Sequence, residues 1–141
     1  MTFLLDTNAV SEWVGPLPNR GLIEWLATVD EDRVYISVMT IAELRFGIER
    51  LPAGARRKRL ENWFTTDLLM RFDKRIIPID VEIADVCGRF VNRGRAAGRP
   101  LEPMDAFIAA TAQVADLTLV TRNLSDFDVL GVPTISPWTA E

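Results

Sequence analysis

The sequence predicts an α/β fold around a mostly parallel sheet, and three observations carry that expectation. Short apolar runs alternate with longer segments of helical periodicity along all 141 residues. Glycine and proline punctuate the joints, but no linker, repeat or low-complexity tract divides the chain, so residues 1–141 read as one domain. Strands that alternate with helices are joined by right-handed crossovers, which cover both faces of the sheet.

The first strand, Thr2 to Leu5, is an apolar run that stops abruptly on Asp6, and a helical segment from Asn8 to Trp13 follows it. Helical spacing returns from Gly21 to Thr28, ahead of a second strand, Val34 to Ile36. The segment Ile41 to Leu51 is helical, with Thr40-Ile-Ala-Glu43 fitting a capping box, and Pro52 and Gly54 separate it from a helix over Ala53 to Met70. Ile76 to Ile79 is the third strand. The next helix, Val81 to Arg93, carries an apolar stripe of Ile83, Ala84, Val86, Cys87, Phe90 and Val91. Gly94, Gly98 and Pro100 part it from Met104 to Ala115, which is apolar almost all round, as a buried helix should be. Thr118 to Val120 and Pro133 to Ile135 complete the strands.

A chain of this length buries roughly 70% of the surface exposed by its unfolded form, so it needs no staple. The 48% hydrophobic and 26% charged fractions are those of a soluble globular protein. Cys87 reads as a small buried hydrophobe, and one cysteine excludes a disulfide framework. No basic segment leads into a long apolar stretch, and no apolar run approaches the roughly 20 residues that span a bilayer, so the cytoplasm is the expected location.

Histidine is absent. That removes Ser-His-Asp and Cys-His arrangements, histidine-ligated zinc and an imidazole base. Chemistry must then run through carboxylates, hydroxyls, Arg or Lys, and any metal is an oxygen-ligated cation such as Mg²⁺ or Mn²⁺. The net charge of −4 argues against coating nucleic acid by overall charge. Basic residues nevertheless cluster at Arg56-Arg57-Lys58-Arg59 and at Arg89, Arg93, Arg95 and Arg99. Such clusters serve either as phosphate contacts or as solvated helix faces carrying ion pairs.

Sites in open parallel sheets form beyond the carboxyl ends of the strands. Asp6 stands at such an end, as do Ser37 and Thr121-Arg122-Asn123. Each acid has a plain structural explanation: Asp6 as a helix N-cap, Glu43 as the return arm of a capping box, Asp105 as an acid in a first turn after Pro103, and Asn123 and Asp126 as turn residues. Their joint placement is harder to explain that way. If the sheet gathers its carboxyl ends, these acids share one crevice and repel one another unless protons or cations intervene. A divalent cation is the simplest solution.

The stretches LLDTN, TIAELRFG, PMDAFIAATA and LVTRNLSDF, followed by PTISPW, resemble the PIN-domain ribonucleases, in particular VapC-type toxins and their FitB-like branch. The resemblance runs from Phe3 to about Trp138, and four motifs in this order are specific. It implies a PIN-like three-layer α/β/α fold with a central sheet of about five strands. It also implies Mg²⁺- or Mn²⁺-dependent cleavage of RNA to 5′-phosphate and 3′-hydroxyl ends, a homodimer, a larger complex with a small VapB-type antitoxin, and no membrane association. Asp6, Glu43 and Asp105 correspond to the metal-binding acids. The last motif often has a fourth acid where this chain has Asn123, so either Asp126 takes that part or three carboxylates suffice. Thr7, Asn8 and Thr121 are candidates for orienting carboxylates or water, and Arg122 and Arg99 for steering phosphate.

A haloacid-dehalogenase-type phosphatase would want a second acid two residues after Asp6, where Asn8 stands, and a receiver domain would want an acidic pair and a late lysine. A non-enzymatic PIN-fold interaction protein is the remaining alternative. Trp13, Trp25, Trp63 and Phe64 either anchor a helix from an antitoxin or complete the core.

Overall fold

The computed structural model describes residues 1–140 and has five parallel strands in the order β3-β2-β1-β4-β5. These are β1 (Phe3–Leu5), β2 (Val34–Ser37), β3 (Ile76–Ile77), β4 (Thr118–Val120) and β5 (Thr134–Ile135). The helices are α1 (Thr7–Val14), α2 (Arg20–Thr28), α3 (Val38–Glu49), α4 (Ala55–Asn62), α5 (Leu69–Arg71), α6 (Val81–Ala96), α7 (Pro103–Val114) and the single turn α8 (Leu124–Phe127). The predicted α/β class, strand set and three-layer arrangement are all present.

Alternation along the central strand builds the two cores. Leu4 packs on one face with Phe90, Ile108 and Leu119, under α6 and α7. Phe3 and Leu5 turn to the other face and join Val10, Leu22, Ile36, Leu44, Phe64 and Phe72. A side-chain period of two, with both faces covered, is why a three-residue strand can be apolar throughout.

Three elements differ from the sequence-based expectation. The segment expected as one helix over Ala53 to Met70 passes through a π-helical stretch, Trp63–Leu68. Thr65 and Thr66 hydroxyls donate back to the carbonyls of Glu61 and Asn62, four residues earlier, which loosens the helical ladder there. β3 ends at Ile77 because Pro78 has no N–H to continue the pairing. The stretch read as a turn around Asn123 and Asp126 holds α8 and a 3₁₀ turn, Asp128–Leu130.

Register positions the site. Leu5 lies beside Ile36 on one side and Val120 on the other, so β1, β2 and β4 deliver Asp6, Ser37 and Thr121 to the same edge of the sheet. The chain order reverses around β1, and the crevice between β1 and β4 is where α/β sheets place ligands.

Candidate functional site

Asp6 is only 4% exposed and caps α1, as its position suggested. Its Oδ1 accepts the Thr7 N–H at 2.8 Å, and its Oδ2 accepts the Thr121 hydroxyl at 2.8 Å and the Asn8 amide at 3.3 Å. Burial, the largest influence, raises its pKa, and Glu43 and Asp126 raise it further, against the lowering pull of Thr121 and Thr7. Donors that converge on a carboxylate favour its anion, so these hydrogen bonds offset part of the rise that burial imposes.

Glu43 departs from the capping-box expectation. Helix α3 begins earlier, with Ser37 as N-cap accepting the Met39 N–H at 3.0 Å, so Thr40 lies inside the first turn and is fully buried. Freed from the cap, Glu43 accepts the Thr7 hydroxyl at 2.6 Å. Thr7 Oγ1 also lies 3.1 Å from Thr40 Oγ1. Because the single Thr7 proton goes to Glu43, Thr40 is the donor in that pair.

Asp105 sits in the first turn of α7, after Pro103 at the helix start. The body of α7 is buried through Ala106, Ile108, Ala109, Ala110, Thr111 and Ala112, which fixes the helix and with it the acid. Burial first, and then Asp6, Glu43, Asp126 and Glu102, push the Asp105 carboxyl up to about 6. Asp126, on α8, is exposed and faces the same space.

These acids line one open cavity of about 460 Å³, with Thr7, Asn8, Arg122 and Asn123 in its wall. Asn8 ties the wall together: its amide donates to Thr121 Oγ1 at 3.3 Å, and its carbonyl accepts the Arg122 N–H at 3.3 Å. The Asn123 N–H donates to Thr121 Oγ1 at 3.1 Å. Arg99 stands apart, in an adjoining cavity of about 290 Å³ that shares Asp105 and Asp126, and its guanidinium donates to the Ser125 carbonyl.

Sequence reasoning missed Thr40, Ser11, Glu12 and Trp138, which complete the hydroxyl relay and the cavity wall. None lies at a strand end, so no positional signal marked them. The Trp138 indole N–H is buried and has no hydrogen-bond partner among the described residues. Of the aromatics weighed as partner anchors, Phe64 is core, and Trp25 meets Phe3 edge-on at 5.0 Å.

The donor set is all oxygen and carries surplus negative charge. Among the described residues, no arginine or lysine pairs with Asp6, Glu43, Asp105 or Asp126. That chemistry fits a hard divalent cation. Among the described residues, however, no three acids stand close enough to form a finished ligand set.

Residues 3–131 match the PIN domain family. The chain is 36% identical to the plasmid stability protein StbB of Pseudomonas syringae pv. tomato, over 97% of this chain and 99% of that one. It is 32% identical to the VapC ribonuclease Y4jK of Sinorhizobium fredii, over 96% of each. The crystal structure of FitAcB from Neisseria gonorrhoeae superposes with a TM-score of 0.91 at 33% identity, covering 99% of this chain and 100% of that one. With four motifs, the sheet order and near-complete coverage in agreement, the chain belongs to the PIN domain family, in its VapC- and FitB-like branch.

Proposed function

We propose that this protein is a Mg²⁺- or Mn²⁺-dependent endoribonuclease, the toxin of a VapBC-type toxin–antitoxin pair. One observation carries the proposal: Asp6, Glu43, Asp105 and Asp126 share a cavity, and among the described residues no arginine or lysine, Arg122 in its wall included, forms an ion pair with any of them. The relative named as a VapC ribonuclease supports RNA as substrate, and the FitAcB complex supports a small antitoxin partner.

Asp6 and Asp105 are the principal ligands, with Glu43 acting directly or through water. Asp126 is the fourth carboxylate, in the part that Asn123, being neutral, cannot take. The bound cation supplies a lowered pKa for the attacking water and charge neutralisation at the scissile phosphate. Thr121, Thr7 and Asn8 keep Asp6 aimed and ionised, and Thr7 holds Glu43 in place from the other side. Arg122 and Arg99, both exposed at the rim, steer the phosphate backbone. The active form is a homodimer, held inactive in a complex with the antitoxin.

A second reading, a PIN-fold interaction protein without catalysis, draws on the lack of a finished ligand set. Incubation of cellular RNA with the wild type, Asp6→Asn and Asp105→Asn, with Mn²⁺ or EDTA, separates the two. Cuts that need Mn²⁺ and both carboxylates are expected. Identical RNA ends in all lanes would remove the nuclease.

A further inference from the structure

A second groove opens from the acidic cavity. It occupies about 680 Å³ between the end of α1, α3 and α4, and Ser11 and Glu43 belong to both spaces. Its far wall carries Arg50, Arg56 and Arg59, all exposed, together with half-buried Trp63 at the start of the π-helical stretch.

The arginines differ from their neighbours in what they lack. Arg57, between two of them, is fully engaged: it meets Glu49 at 2.6 Å and Glu61 at 3.3 Å and donates to the Leu51 carbonyl at 3.2 Å. Arg45, Arg71, Arg75, Arg20 and Arg89 also have carboxylate partners. Arg56 and Arg59 have none and make no hydrogen bond among the described residues, and Arg50 lies only over the Phe46 ring, at 5.0 Å. In a chain of net charge −4, carboxylates were available to pair them. Arg56 and Arg59 are three apart, so they project from one face of α4.

We propose that this groove is a track for single-stranded RNA, in which Arg56, Arg59 and Arg50 bind successive phosphates and Trp63 offers a stacking surface to a base. The track rests on the nuclease reading, because it leads a strand to the acids at Glu43. Guanidinium forks match phosphate oxygens, and an aromatic ring among cations is how proteins hold unpaired strands without reading sequence. Arg122 and Arg99 lie on the other side of the acids, so the strand enters along one basic rim and leaves along another.

Anisotropy of a fluorescein-labelled 15-nucleotide oligo(U) at several salt concentrations tests the track, with Asp105→Asn present in every protein to prevent cutting. Losing two phosphate contacts by R56A/R59A should flatten the log–log salt dependence by roughly 1.4, at about 0.7 per contact, and weaken binding on the order of tenfold. R56Q/R59Q must do the same, and circular dichroism must be unchanged for both. Lys74→Ala, ahead of β3 at the opposite edge of the sheet, should leave the slope alone. An unchanged slope for both double variants overturns the track and leaves the nuclease standing. Arginine-dependent binding of an acidic amphipathic helical peptide, with indifference to oligo(U), overturns it in favour of protein docking. A parent protein that does not bind oligo(U), from a wild type that cuts no RNA with Mn²⁺, removes both.

Discussion

Thr7 Oγ1 donates to Glu43 Oε1 at 2.6 Å across 36 residues of sequence, joining the start of α1 to the second turn of α3. The same hydroxyl accepts from buried Thr40, and the backbone N–H of Thr7 donates to Asp6. One residue thereby fixes the spacing of two acids. Thr7→Val keeps the shape and removes the hydroxyl. Glu43 should lose its anchor and Thr40 its acceptor, and a buried hydroxyl without a partner costs about 1–3 kcal/mol. We expect a lower melting temperature and roughly 10- to 100-fold weaker Mn²⁺ support of RNA cleavage, as for other residues that orient metal ligands. Thr7→Ser should restore both, and a Mn²⁺ titration of cleavage rate checks this directly.

Asp105→Asn should stabilise the metal-free protein. The Asp105 carboxyl is pushed up to about 6 when folded, against 3.8 as the ordinary value, so the native state holds the proton more tightly. The stability this contributes is complete below about pH 3.8 and is lost as pH rises through about 6. The neutral amide avoids that loss. In EDTA the variant should melt a few degrees above the wild type at pH 8, and the gap should close toward pH 4; the shift is small because solvent partly screens the half-exposed carboxyl. Mn²⁺ should raise the melting temperature of the wild type alone. A gap that stays constant with pH contradicts this account.

At subsaturating Mn²⁺, cleavage should fall on the acid side as Asp105, pushed up to about 6 in the metal-free protein, takes up its proton and competes with the cation for the same oxygens. Raising Mn²⁺ tenfold should move the midpoint of that fall toward lower pH. A midpoint independent of Mn²⁺ would mean that the titrating group lies outside the ligand set. The pH–rate profile at two metal concentrations decides.

The sheet and the strand-end acids were legible because their signals are local. An apolar run that stops on Asp6, or a helix start at Pro103-Met-Asp105, places a residue along its own element and, through the crossover rule, at one edge of a parallel sheet. Thr40 was not legible in its true role. The pattern Thr40-Ile-Ala-Glu43 satisfies a cap rule, but Ser37, at the end of β2, caps the helix first, and only the tertiary contact with Thr7 shows what Glu43 does instead. Among Arg56, Arg57 and Arg59, alike in charge, the i,i+4 spacing of Arg57 and Glu61 on α4 is a local signal, but the 2.6 Å contact that Glu49 makes to Arg57 from α3 is not. Pairing across a fold leaves no trace in a local pattern.

Gly21 opens α2 beneath the C-terminal tail. A Cβ at this position would lie 2.4 Å from the Pro137 carbonyl oxygen and 2.5 Å from Thr139 Cγ2. The Gly21 N–H donates to Thr139 Oγ1 at 3.2 Å, and the Asn19 side chain donates to the Thr139 carbonyl at 2.9 Å and accepts the Thr139 N–H at 3.1 Å. That strap holds Trp138 in the wall of the acidic cavity. Glycine to alanine in a helix is ordinarily worth up to about 1 kcal/mol of added stability. Here backbone would have to move, so the sign should reverse, with Gly21→Ala destabilising by roughly 1–3 kcal/mol, as overpacking does. Gly88→Ala, at an exposed helical position with open space around the new methyl, should stabilise instead. If the tail also shapes the site, Gly21→Ala and Trp138→Ala should slow RNA cleavage to a similar degree at saturating Mn²⁺. Urea melts of the two glycine variants, set beside cleavage rates for Gly21→Ala and Trp138→Ala, separate a loosened tail from a general loss of stability.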